Sequence, residues 1–130
     1  MSNNRLLLHR AIEEAEGYYD LGMLGHALRS LQRRGALVHG NGRACFMLGK
    51  TLIKLDRFEE ALLPLERSAD LVPDDIHTFM ALVWCYKRSG QLGKAIAALE
   101  RAVRIDPSEA VILFFLAADL IVRAVFRLRS

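Results

Sequence analysis

Apolar residues recur along this chain at intervals of three and four, as in Cys45, Leu48, Leu52 and Leu55, and again in Phe58, Leu62, Leu65 and Ala69. That spacing returns side chains to one face of an α-helix and never settles into the alternation of a half-buried strand. The pattern predicts helices at about 5–20, 23–36, 42–55, 58–71, 76–89, 92–105 and 109–128, and no strand. The fold class that follows is all-α.

The breaks between these stretches carry their own chemistry. Gly22 and Gly90 stand where a helix should end, because glycine enters the left-handed conformation that closes a helix without steric cost. Asp56 occupies the equivalent place and does the same job less well. Pro73-Asp74-Asp75 and Pro107-Ser108-Glu109 join a residue that cannot continue a helix to capping and first-turn acidic residues for the next one. At the remaining boundary Gly40-Asn41-Gly42 replaces proline, with Asn41 as the expected cap, and Gly35, Gly40 and Gly42 read as turn residues.

Sliding the chain over itself by 34 residues brings Ala27 onto Ala61 and Ala95, Leu31 onto Leu65 and Leu99, and Gly22 onto Asp56 and Gly90. A period of this length denotes stacked helix-turn-helix units, none of which covers its apolar face alone. The recurring alanines let the second helix of each pair approach the first closely; a bulky side chain there overpacks the contact at a cost of ~1–3 kcal/mol.

Composition narrows the function classes. With 130 residues and 52% hydrophobic content the chain suits one domain with one continuous core. A net charge of +3 and a pI near 9.1 favour acidic partners but fall short of the basic density of a dedicated nucleic-acid binder. Cys45 and Cys85 lie in apolar helical patterns without a CxxC pair and read as reduced, packed thiols. Glu13, Glu14 and Glu16 in the opening segment are foreign to a signal peptide, which makes a cytoplasmic protein the expectation. His9, His26, His39 and His77 lack metal-ligand spacing, and there is no Gly-rich phosphate loop or nucleophile motif. No catalytic residue, metal or cofactor is expected, and the chain reads as non-enzymatic.

The third copy carries Leu82, Tyr86, Ala95, Leu99, Ala102 and Pro107 at the spacings W-x2-L-G-x2-Y, A-x3-F, A and P. In this it resembles the tetratricopeptide repeat (TPR) family. The second copy matches with Leu48, Gly49, Ala61, Leu65 and Pro73, but has Leu52 for the tyrosine and Ser68 for the second alanine. The first keeps Tyr18, Ala27 and Leu31 and departs at Arg34 and His39. The resemblance implies a right-handed α-solenoid of three TPR helix-turn-helix repeats, at about 8–41, 42–75 and 76–109, plus a C-terminal seventh helix at about 109–128, all in a single domain spanning 1–130.

In that family the first helices of successive repeats line a concave groove. The resemblance places there His9, Ile12, Glu16 and Tyr19, then Arg43, Phe46, Lys50 and Lys54, then His77, Met80, Trp84, Lys87 and Arg88, continued by Val111, Phe114 and Ala118. Five basic groups would steer and Phe46, Met80, Trp84 and Phe114 would supply burial, a combination suited to an extended acidic or aromatic-bearing peptide. The blander alternative makes Trp84 and Phe46 part of the core and the basic residues merely solvated. TPR co-chaperones that grip the carboxylate tail of heat-shock chaperones use Lys, Asn, Asn, Lys and Arg where this chain has Ile12, Glu16, Met47, His77 and Ala81, so that clamp is missing. The function implied is a protein-binding adaptor, scaffold or chaperone-like module.

From Ala110 to Leu128 only Asp119, Arg123 and Arg127 interrupt an apolar run. Continuation into further repeats, membrane contact and pairing with a second copy compete to explain it; the favoured expectation is a homo-oligomer through residues 110–128. A membrane span is not expected, since the uninterrupted stretch from Ala110 to Ala118 is about half the ~20 residues a bilayer requires. The alternatives to a peptide-binding module are therefore an assembly module built on this segment and an RNA-binding helical repeat.

Overall fold

Seven helices and the start of a further one at 107–109 run through the described residues of the computed structural model, which are 2–109 together with 118, 122 and 126. They are α1 (Ser2–Asp20), α2 (Leu24–Gln32), α3 (Gly35–His39), α4 (Gly42–Lys54), α5 (Phe58–Leu71), α6 (Ile76–Arg88) and α7 (Leu92–Ile105), and no strand occurs among the described residues. The helix expected at 109–128 lies largely outside the described residues; of those described there, 107–109, Ala118, Val122 and Phe126 are helical.

Three turns repeat one geometry at the period of the sequence. Gly22, Asp56 and Gly90 all take positive φ, at 77°, 59° and 76°. In each, the next residue's N–H donates back to the helix: Met23 to the Tyr18 carbonyl at 2.8 Å, Arg57 to Leu52 at 2.9 Å, and Gln91 to Tyr86 at 2.8 Å. This is the bonding of a Schellman cap, and it satisfies carbonyls that the ending helix leaves without partners. Side chains cap the other starts, where Asn41 Oδ1 accepts from the Ala44 N–H at 2.9 Å and Asp75 Oδ1 from that of His77 at 3.0 Å. At the third boundary the cap is Asp106, which accepts from the Ser108 N–H at 3.1 Å and leaves Pro107 at the first helical position, where its missing N–H costs nothing.

One expected helix is two. The span 23–36 stops at Gln32, Arg34 turns to φ −116°, and Gly35 begins α3 rather than ending a turn. Gly35 continues a helix poorly, and the break buries Val38, 2% exposed, against Leu31, Ala44 and Met47. Gly42 likewise opens a helix, and a Cβ there would lie 2.5 Å from Val72 Cγ2.

The chain divides into two compact units, residues 1–73 and 74–130. In the first, α1 packs on α2 and α4 on α5, while α1, α2 and α3 also lean against α4. Ala27, Leu31, Ala61 and Leu65 are fully buried, so the alanine positions admit the close approach their size allows. Gly49 brings α4 nearer still: a Cβ on it would sit 2.5 Å from Leu65 Cδ2. Ser68, which stands where the family has alanine, donates its hydroxyl to the Gly42 carbonyl at 2.9 Å and ties α5 to the start of α4. In the second unit α6 packs on α7 through Phe79, Leu82, Cys85 and Tyr86 against Ala95, Ala98, Leu99 and Ala102.

Candidate partner-binding surface

Arg43, Phe46 and Lys50 recur at i, i+3 and i+7 along α4 and share a stripe beside the buried one formed by Ala44, Met47 and Thr51. Because α1 lies against α4, that stripe meets Glu16 and Tyr19. Arg43 Nη2 donates to Glu16 Oε1 at 2.6 Å, and the Lys50 ammonium stands 4.6 Å from the centre of the Tyr19 ring and 5.8 Å from that of Phe46. Phe46, Lys50 and Tyr19 are half-buried, Arg43 is exposed, and Lys54 extends the positive charge one turn on, also exposed. Partial burial, then the neighbouring Asp20 charge, holds the Tyr19 hydroxyl above its ordinary pKa.

One expectation changes here. Ile12, placed on the lining by resemblance, is 4% exposed and belongs to the core with Ala15 and Leu31. Glu16 stays at the surface, paired with Arg43. His9 is exposed and pairs along its own helix with Glu13 at 2.9 Å.

On α6 of the second unit, Trp84 is 44% exposed, and the Arg88 guanidinium lies 5.6 Å from its ring centre. His77 is exposed; Met80 and Lys87 are half-buried. Phe114 lies outside the described residues. Neither cysteine adds reactivity: Cys45 and Cys85 are buried and unbridged, and burial pushes the Cys85 thiol up to about 11. Among the described residues no cluster of His, Cys, Asp or Glu is placed to hold a metal ion, and no helix is long and apolar enough to cross a membrane.

This arrangement of paired helices has counterparts among known proteins. Tetratricopeptide repeat models match residues 42–75 and 76–119, together more than half of the chain. The chain belongs to the TPR family. The boundary between the two matched segments coincides with the Asp75 cap, so the family frame and the hydrogen-bonded frame agree. A curated relative, the CTR9 homolog of Arabidopsis thaliana, is 31% identical over 65 residues, which is 50% of this chain and 6% of that protein. Among solved structures, the type III secretion chaperone SycD of Yersinia enterocolitica, in complex with a peptide of the translocator YopD, superposes with a TM-score of 0.80 at 15% identity, over 90% of this chain and 94% of that one. The complex of the TPR2B domain of yeast Sti1 with pHsp70 superposes with a TM-score of 0.78 at 16% identity, over 88% of this chain and 98% of that one. At these identities the likeness is one of fold, and the fold is the TPR α-solenoid.

Proposed function

We propose that this TPR chain is a non-enzymatic interaction module that holds an extended protein segment against the first helices of its repeats. The observation that carries this reading is the Lys50 ammonium laid over Tyr19 beside Phe46, on an exposed face that also presents Lys54. An ammonium set over one ring and beside a second supports a recognition surface over a plain solvated position. Rings of this kind accept an apolar or aromatic side chain, while Lys50 and Lys54 accept a carboxylate. In the second unit Trp84 offers a further ring, with His77, Met80, Lys87 and Arg88 on the same helix, and Phe114 extends the set along the chain. The complex of SycD with a peptide, and that of the Sti1 domain with pHsp70, support a peptide or protein segment as the class of occupant. Panning a display library of random linear peptides on the native chain, with Lys50→Glu and Phe46→Ala as counter-selections, tests it. Acidic peptides with an apolar anchor should be enriched and lost on both variants; enrichment of peptides that bind the variants equally well would remove the proposal.

A second reading has its own observation. Val122 and Phe126 are 52% and 68% exposed and lie four residues apart, on one helix face with Ala118. Exposed apolar residues so spaced suit pairing with a second copy. Sedimentation at tens of micromolar should then show a dimer that Phe126→Glu dissociates, and a monomer at that concentration excludes it.

A further inference from the structure

Between α1 and α2 lies a polar cleft of about 180 Å³ lined by Arg10, Glu14, Ser30, Arg33 and Arg34. It is separate from the aromatic stripe: at about 100° per residue, Arg10 and Glu14 fall roughly half a turn around α1 from Glu16 and Tyr19. Among the described residues no carboxylate stands within ion-pair distance of Arg10, Arg33 or Arg34, Glu14 included. Three arginines thus line one cleft with a single acidic residue. Like charges gathered in this way repel one another, and a bound anion removes that repulsion.

Ser30 adds an independent indication. It is only 5% exposed, it lines the cleft, and among the described residues its hydroxyl makes no hydrogen bond. The oxygen is not sealed off, since no buried side-chain oxygen or nitrogen of the described residues lacks a partner. A buried hydroxyl opening onto a cleft rather than bonding back to its helix is a donor waiting for an acceptor.

We propose that this cleft is a binding site for a phosphate-type oxyanion. Guanidinium groups match the edges of a tetrahedral oxyanion with paired N–H donors, as lysine does not, and Ser30 supplies a further donor from the floor. Glu14, the one carboxylate of the lining, can accept a hydrogen bond from the protonated edge of a monoanion. The oxyanion comes either from free inorganic phosphate or from a phosphorylated side chain of a bound protein.

Two probes separate these sources in heteronuclear NMR titrations at constant ionic strength: sodium phosphate, and a short phosphoserine peptide alongside its unphosphorylated form. Saturable shifts centred on Ser30, Arg33 and Arg34 should appear. Arg10→Gln and Arg33→Gln should each weaken them at least tenfold, with folding verified by circular dichroism, whereas Arg104→Gln, the same charge change elsewhere, should leave them intact. Equal affinity for the two phosphorylated probes identifies free phosphate as the ligand; a phosphopeptide binding at least tenfold tighter than phosphate, with its unphosphorylated form silent, identifies the phosphorylated side chain. Absence of saturable shifts with both probes, or shifts reduced as much by Arg104→Gln as by the cleft variants, overturns the proposal.

Discussion

Lys50 of α4 stands over the ring of Tyr19 on α1, its ammonium 4.6 Å from the ring centre, and so joins the first helices of two successive repeats across their exposed edge. Such a contact is worth ~0.5–1 kcal/mol where water reaches it. A double-mutant cycle with Tyr19→Leu and Lys50→Met should return a coupling of about that size in urea unfolding, and additivity of the two changes would show that the contact does not hold in solution.

Asp56 bears the strain that glycine relieves at its two counterparts. Its φ of 59° lies where a Cβ is unfavourable, while Gly22 and Gly90 pass through the same turn without that cost. Asp56→Gly should therefore stabilise the chain by ~0.5–1 kcal/mol, read as a higher urea midpoint at unchanged slope, whereas Gly90→Ala should lower it by about 1 kcal/mol.

Gly49 leaves no room for a methyl group. Its added Cβ would meet Leu65 Cδ2 at 2.5 Å and Cγ at 2.6 Å, and Leu65 is fully buried. Gly49→Ala should cost ~1–3 kcal/mol by overpacking, despite the better helix propensity of alanine. Combined with Leu65→Ala it should cost clearly less than the sum of the two single changes, because each relieves the other.

Burial lifts the Cys85 thiol from about 9 to about 11. Below pH 9 the folded and unfolded thiols are both protonated, and stability does not depend on this group. Between pH 9 and about 11 the unfolded chain ionises first, so stability should fall as pH rises through that window, and Cys85→Ser should flatten the slope there. Under native conditions at pH 8 a thiol reagent should label Cys85 no faster than global unfolding exposes it.

What could be read along the chain was local. The alanines at 27, 61 and 95 and the turn residues at 22, 56 and 90 act through contacts within one helix pair, so their spacing reveals the repeat directly. The break after Gln32 was not legible, because Leu37 and Val38 continue a helical pattern and only packing against Ala44 and Met47 decides the bend. Ile12 was misplaced for a similar reason: it borders both the buried stripe and the exposed one, and its burial depends on neighbours from α2 and α4. The pairing of Glu16 with Arg43 spans 27 residues and follows from which helices lie side by side, not from any motif. The cleft arginines are not legible in the sequence, because Arg33 and Arg34 read as the end of a helix and nothing local links them to Arg10.

On the proposed reading, the stripe of Phe46, Lys50 and Tyr19 holds the partner segment. Isothermal titration of a peptide selected on the native chain, repeated on Lys50→Glu with folding verified, tests it most directly. A weakening of at least tenfold, equivalent to about 1.4 kcal/mol, is the predicted result; an unchanged affinity would contradict it.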